Sequence, residues 1–161
     1  MEALNPRPGA GHGQSVPADF RFWTDEKLRN ADTDQFKHVN NAAMATFFEA
    51  GRMEIFVPHV IEAMMEGANL AVVRLSIEFR AEVHFPGRVR IGSTVLSVGK
   101  TSIHVRQGLF TDPDDACAAM AEAVCVLVHP DSRRPHPVSA ELRRYLLGER
   151  GHRPGTGDAH D

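Results

Sequence analysis

The sequence is poor in cysteine, in aromatic residues and in long apolar runs. It has two cysteines among 161 residues and a net charge of -3, with acidic and basic residues spread along the chain. A zinc ribbon needs more cysteines, a nucleic-acid-binding protein needs a basic surface, and a membrane-spanning helix needs about 18 consecutive apolar residues. These absences favour a soluble, cytoplasmic, single-domain protein without a nucleic-acid or membrane partner.

Both ends of the chain are rich in proline and glycine. Residues 1–17 and 149–161 contain too few apolar side chains to offset the entropy lost on ordering, and the first of them lacks the apolar core of a secretory signal. We therefore expect two disordered tails around one folded domain, residues 18–148. Cys117 and Cys125 are expected to be small buried side chains rather than a disulfide.

A helical pattern begins at Ala42. Apolar side chains recur from there at spacings of three and four, which predicts one buried helix face; its members are Met44, Phe47, Gly51 and Ile55. Pro58 should end this segment, and a further helix is possible over residues 59–65.

Extended patterns lie on either side of this helix. Phe20 and Phe22 alternate in a first strand. Residues 69–83 alternate apolar and polar side chains, which predicts a half-buried strand; its inner face would carry Val73, Leu75, Ile77 and Phe79.

Three more strands are predicted, over residues 89–98, 102–110 and 116–128. The segment Phe85–Arg88 suits a type II turn, Gly99 suits a type II′ hairpin turn, and "DPDD" suits a turn with proline at its second position. A short final helix would be capped by Ser139. This order of elements implies an antiparallel sheet with one helix laid across it.

The polar segment "DTDQFKHVNN" and the helix after it resemble the signature of the hotdog-fold thioesterases, in particular the 4-hydroxybenzoyl-CoA thioesterase-like acyl-CoA thioesterases. The family pattern, Asp-x-Asp-x-x-Gly-His-Val-Asn-Asn followed by Glu-x-x-Arg, is matched by Asp32, Asp34, His38, Val39, Asn40, Asn41, Glu49 and Arg52. Lys37 stands where the family has glycine. The resemblance covers roughly residues 20–147.

The resemblance implies an α+β hotdog fold, in which an antiparallel five-stranded sheet wraps around one long central helix. It also implies a homodimer or homotetramer with its active sites at a subunit interface, and hydrolysis of an acyl-CoA to a carboxylic acid and coenzyme A. No cofactor is expected, because coenzyme A enters as part of the substrate.

The resemblance assigns the catalytic carboxylate to Asp34, acting as a general base on water or as a nucleophile. His38 and Asn41 would support it, and the backbone N–H groups of Asn41 and Ala42 at the positive end of the helix would polarise the thioester carbonyl. Two further sets complete the predicted site. The acyl pocket would be lined by Met44, Phe47 and Phe48, and coenzyme A phosphates would be bound by Lys100, Thr101 and Ser102, with Arg133 and Arg134 as weaker candidates.

Several residues of this motif also have simpler, structural interpretations. Asp34 is placed to cap a helix, Asp32 to hold the loop, and Glu49 to pair with Arg52 within one helix. No metal site is expected, because Asp32, Asp34 and His38 are mixed ligands in one short loop.

Two rival functions also stand beside thioester hydrolysis. One is a hotdog enoyl-CoA hydratase or dehydratase, and the other is an acyl-CoA-binding protein without catalysis. The sequence leaves open the acyl chain, aromatic or aliphatic, and the thiol carrier, coenzyme A or acyl carrier protein.

Overall fold

The computed structural model describes residues 17–56 and 65–149, which form one sheet with two helices. In chain order the elements are β1 (Phe22–Lys27), α1 (Asn41–Phe56), β2 (Asn69–Phe79), β3 (Arg88–Val98), β4 (Ser102–Asp112), β5 (Ala116–Val128) and α2 (Ala140–Leu147). Two short 3₁₀ turns, Pro17–Asp19 and Asn30–Asp32, flank β1.

All strand pairs are antiparallel, and the sheet order is β1-β3-β4-β5-β2. The two edge strands are β1 and β2, so the chain crosses the whole sheet between them, through α1, and then returns from β2 to β3, which lies beside β1. The predicted apolar face of α1 is buried against the sheet, so the helical period identified the core face correctly. This is the predicted α+β hotdog fold, a five-stranded antiparallel sheet around one long helix.

A buried polar cluster joins α1 to the sheet. Gln107 Nε2 on β4 donates hydrogen bonds to the Phe48 carbonyl and to Ser93 Oγ, both at 2.9 Å, and Ser93 Oγ donates to the Gly51 carbonyl at 3.2 Å. Arg52 Nη1 donates to Gln107 Oε1 at 3.1 Å. A β-carbon on Gly51 would lie 2.5 Å from an Ile91 methyl group, so the helix packs too closely on the sheet for any larger residue there.

This cluster corrects the predicted ion pair between Glu49 and Arg52. Arg52 is 3% exposed and points at Gln107, whereas Glu49 is exposed. Burial lowers the pKa of the Arg52 guanidinium from its usual value. Spacing along the helix favoured the pair, but the tertiary contact with β4 determined where Arg52 lies.

The prediction that β2 has a buried inner face is largely wrong within a single chain. Val73 is 63% exposed, Phe79 is 45% exposed and Leu75 is also exposed, so only Ile77 is half-buried. The reason is the position of β2 at the edge of the sheet, beyond the part that α1 covers.

Smaller corrections concern β1 and two turns. Phe20 precedes β1 and packs on Phe110 rather than lying in the strand. Gly87 and Gly99 do not have positive φ, so the predicted type II and type II′ turns do not form. The "DPDD" turn, the Ala-rich strand β5 and the Ser139 cap of α2 are confirmed.

Several predictions concern residues outside the described ranges, namely most of the two tails and most of the helix over 59–65. The two cysteines are free thiols, Cys125 buried and Cys117 half-buried, and burial raises the pKa of both. Neither of the two helices in the described ranges has the length and apolar character needed to cross a membrane.

Candidate active site

The loop before α1 is held by Asp32. Its buried carboxylate accepts hydrogen bonds from the Arg29 backbone N–H at 2.7 Å and from Arg29 Nη2 at 2.7 Å, and its carbonyl accepts from the Asn40 N–H at 2.8 Å. The side-chain bond from Arg29 lowers the pKa of Asp32 below its usual range. Asp32 therefore has the structural role that the sequence suggested.

Asp34 lies in a tight turn within this loop. Its Oδ1 accepts a hydrogen bond from the Phe36 N–H at 2.8 Å, its carbonyl accepts from the Lys37 N–H, and its own N–H donates to the His38 carbonyl. Its second carboxylate oxygen, Oδ2, accepts no hydrogen bond from the described residues. One oxygen thus fixes the turn, and the other is available for chemistry.

Lys37 adopts the left-handed conformation, with φ of 66°. The family's glycine is suited to this conformation, which lysine adopts only with strain. The turn therefore keeps the shape that glycine would allow, in spite of the substitution.

Asn40 caps α1. Its side-chain Oδ1 accepts a hydrogen bond from the Ala42 N–H at 2.8 Å, and its carbonyl accepts from the Met44 N–H at 3.0 Å. Of the two N–H groups predicted to polarise a carbonyl, that of Ala42 is therefore engaged by the cap. The Asn41 N–H has no acceptor among the described residues and lies at the positive end of the helix.

A surface cavity of about 290 Å³ lies beside this loop. It brings together four predicted site residues, and strand β2 and the segment after it supply the opposite wall. The lining residues are Asp34, His38, Val39, Asn41, Met44, Phe79, Arg80, Ala81 and Glu82.

Two of the three predicted acyl-pocket residues do not line this cavity. Phe47 and Phe48 are 4% and 0% exposed and belong to the core between α1 and the sheet. The cavity opens at the first turn of α1, where Met44 lies, and both phenylalanines come about one turn later.

The sequence did not indicate the residues on the far wall. His38 Nε2 lies 3.2 Å from Glu82 Oε2, and the His38 ring packs edge-on against His84. Arg80 adds a cation, whose pKa is raised by its hydrogen bond to Glu78. The sequence feature that could have indicated Glu82 and His84 is the Glu-x-His spacing in an extended segment, which places residues 82 and 84 on one face.

The predicted phosphate-binding hairpin lies far from this cavity within one chain. Ser102 pairs with Val126 on β5, whereas Phe79 of the cavity pairs with Ala119. These two positions on β5 are seven residues apart, which is about 23 Å along a strand. The structure of one chain thus does not bring Lys100, Thr101 and Ser102 to the cavity.

A second cavity, of about 650 Å³, lies near the other end of α1 and contains Arg133 in its lining. The other described residues of its wall are Met53, Phe56, Met65, Gly67, Ala68, Asn69 and Leu70, which are uncharged. It is the larger of the two cavities, but no carboxylate or imidazole faces it from the part of the chain that the structure describes.

Comparison with known proteins identifies the family of the chain. The family model described as the thioesterase-like superfamily matches residues 28–146. The chain is 28% identical over 123 residues to the chloroplastic acyl-acyl carrier protein thioesterase ATL2 of Arabidopsis thaliana, a match that covers 74% of this chain and 65% of that protein.

Solved structures share the fold. The probable thioesterase YbaW from Escherichia coli superposes with a TM-score of 0.70 at 22% identity, covering 79% of this chain and 97% of that one. A thioesterase from Thermus thermophilus, solved in complex with coenzyme A and zinc, gives a TM-score of 0.67 at 22% identity and covers 79% of this chain and 98% of that one.

The sheet order and the long helix packed on the sheet define a hotdog-fold protein. The match over residues 28–146 is more specific, and the chain belongs to the thioesterase-like superfamily.

Proposed function

We propose that this protein hydrolyses an acyl-CoA thioester to a carboxylic acid and free coenzyme A in the cavity beside α1. The observation that supports it most directly is the shared lining of that cavity by Asp34 and Asn41. A carboxylate with one uncommitted oxygen and a free N–H at a helix start are the two groups that thioester hydrolysis needs.

The Asp34 carboxylate acts in one of two ways. As a general base, Oδ2 takes a proton from water while the water oxygen attacks the thioester carbon. As a nucleophile, Oδ2 attacks that carbon itself, expels the thiolate and forms a mixed anhydride that water then cleaves. In both routes the carbonyl oxygen becomes negative, the Asn41 N–H donates to it, and the released thiolate takes up a proton.

Coenzyme A as the thiol carrier is part of the proposal. The Thermus thermophilus relative in the fold comparison was solved with coenzyme A, whereas the Arabidopsis relative is named for acyl carrier protein. Arg80 supplies a guanidinium to the cavity lining. Lys100, Thr101 and Ser102 remain predicted phosphate contacts, and they can reach a cavity only if it belongs to another subunit.

A homodimer or homotetramer is also part of the proposal, as is a cytoplasmic location. The edge strand β2 exposes large apolar side chains in the single chain, namely Val72, Val73, Leu75 and Phe79. Such an edge is commonly covered by a partner strand. Phe79 also lines the cavity, so a partner that covers β2 would lie beside the active site.

The test is a substrate panel. Purified protein is incubated with short-chain, long-chain and aromatic acyl-CoAs, and with the same acyl groups on acyl carrier protein, while free thiol is measured. We expect thiol release from at least one acyl-CoA and a lower kcat/KM for the matching carrier-protein thioester. Binding of acyl-CoAs without release of thiol from any substrate would contradict the proposal and favour a binding protein.

A further inference from the structure

A second group of side chains lies at the rim of the cavity. Glu82 and His84 flank Val83 on an extended segment, so their side chains share one face while Val83 is buried. His38 faces them across a short antiparallel bridge, in which residues 38 and 84 pair and the Val39 N–H donates to the Val83 carbonyl at 2.7 Å.

The three side chains converge on one point. His38 Nε2 lies 3.2 Å and His84 Nε2 lies 3.5 Å from the same oxygen, Glu82 Oε2. All three candidate ligand atoms lie within 4.8 Å of one another. The backbone bridge sets this arrangement, because it fixes the two histidines opposite each other.

We propose that His38, Glu82 and His84 bind a Zn²⁺ ion. Zinc binds imidazole nitrogen and carboxylate oxygen at about 2.1 Å, and two ligands of a tetrahedral ion at that distance are about 3.4 Å apart. The two nitrogen-to-oxygen distances already match this value. The two ring nitrogens lie within 4.8 Å of each other, and side-chain rotation can bring them to the tetrahedral spacing since His38 is 33% and His84 60% exposed.

The ligand set also indicates which ion binds. Two imidazoles with one carboxylate suit zinc and similar transition ions, whereas Mg²⁺ prefers oxygen ligands alone. Three protein ligands leave a fourth position for water or a substrate atom. Because His38 and Glu82 also line the cavity, that position lies at its rim. The site differs from the loop ligands weighed in the sequence, since it excludes Asp32 and Asp34.

Zinc binding does not depend on the proposed hydrolysis, and it is tested without substrate. Tag-free full-length protein is stripped with a chelator and titrated with ZnCl₂ by calorimetry. The variants are His84→Ala and Glu82→Gln, whose exposed side chains leave the fold intact. His104→Ala is the matched control, because it removes a histidine of β4 that lies outside the cluster.

We expect native protein and His104→Ala to bind one zinc ion more than His84→Ala, and Glu82→Gln to weaken that site at least about tenfold. Zinc should raise the melting temperature of native protein and not that of His84→Ala, and excess Mg²⁺ should not compete. Comparing the variants also distinguishes zinc binding at this site from zinc binding at the chain's other histidines. Equal stoichiometry and affinity in native protein and His84→Ala, or no zinc binding at all, would overturn the proposal.

Discussion

The Asn40 side chain accepts a hydrogen bond from the Ala42 N–H at 2.8 Å, and of the two N–H groups predicted to polarise the carbonyl, this contact leaves that of Asn41 free. The cap thus engages one of two neighbouring N–H groups and leaves the other free, a difference that the sequence could not show. It makes Asn41 the first residue of the helix, where proline is well tolerated.

This position allows the N–H to be deleted without breaking the helix. Asn41→Pro should lower kcat for thioester hydrolysis about 100-fold, because it removes one donor to the developing oxyanion. Asn41→Ala removes the side chain and keeps the N–H, so its kcat should stay within about threefold of native if the backbone carries the effect. Steady-state kinetics, with circular dichroism to confirm folding, provide the measurement. Equal rates for the proline and alanine variants would show that the N–H is not the donor.

Lys37 occupies a left-handed position for which glycine is better suited. Lys37→Gly should raise the free energy of unfolding by about 0.5 kcal/mol, since it relieves backbone strain at some cost in chain entropy. Lys37→Val should lower it by about 1 kcal/mol, because a β-branched residue fits this conformation poorly. Urea unfolding measures both. Gln35→Gly, in the same loop without positive φ, is the control and should not stabilise; equal stabilisation by both glycines would show that backbone strain at Lys37 is not the cause.

Gln107 on β4 bonds two residues of α1, accepting from the buried Arg52 guanidinium and donating to the Phe48 carbonyl. Gln107→Leu should lower the free energy of unfolding by about 3 kcal/mol, because it leaves a buried guanidinium without an acceptor. Gln35→Leu, the same change at an exposed position, should alter the free energy of unfolding by no more than about 0.5 kcal/mol. Chemical denaturation of both variants tests this, and a loss below about 1 kcal/mol for Gln107→Leu would show that Arg52 finds another partner.

Asp32 should contribute to stability in a pH-dependent way. Arg29 lowers the folded-state pKa of Asp32, so the stabilisation is fully present above the unfolded pKa of about 3.9 and is lost as the pH falls through the folded value. The difference in unfolding free energy between native protein and Asp32→Asn should therefore be constant from about pH 7 to pH 5 and shrink below about pH 4. A difference that stays constant down to pH 2 would contradict this. Asp114→Asn, at an exposed turn, is the control.

Periodicity in the sequence identified those parts of the fold that depend on local pattern. The helical spacing of Met44, Phe47, Gly51 and Ile55 marked the buried face of α1, and the valine-rich end of β5 outweighed its alanines. The exposure of Val73 and Phe79 could not be predicted in the same way, because alternation does not reveal which strand becomes an edge.

The sequence brought together the cavity residues that come from one loop and did not indicate those that come from distant segments. Asp34, His38 and Asn41 come from one motif and share a cavity. Glu82 and His84 lie more than 40 residues beyond His38 in sequence, and only the bridge between the two extended segments brings them together. Phe47 and Phe48 were assigned to the acyl pocket because they share a helix with Met44, but the cavity ends within the first turn.

The role of the Asp34 carboxylate in the chemistry is tested by kcat/KM of Asp34→Asn with the best acyl-CoA. An asparagine oxygen can still accept the Phe36 hydrogen bond that holds the turn, so the variant removes the ionised oxygen and keeps the loop. We expect a loss of about 1,000-fold, with the control Asp114→Asn unchanged. A folded Asp34→Asn variant that retains activity within about threefold of native would show that this carboxylate only shapes the loop.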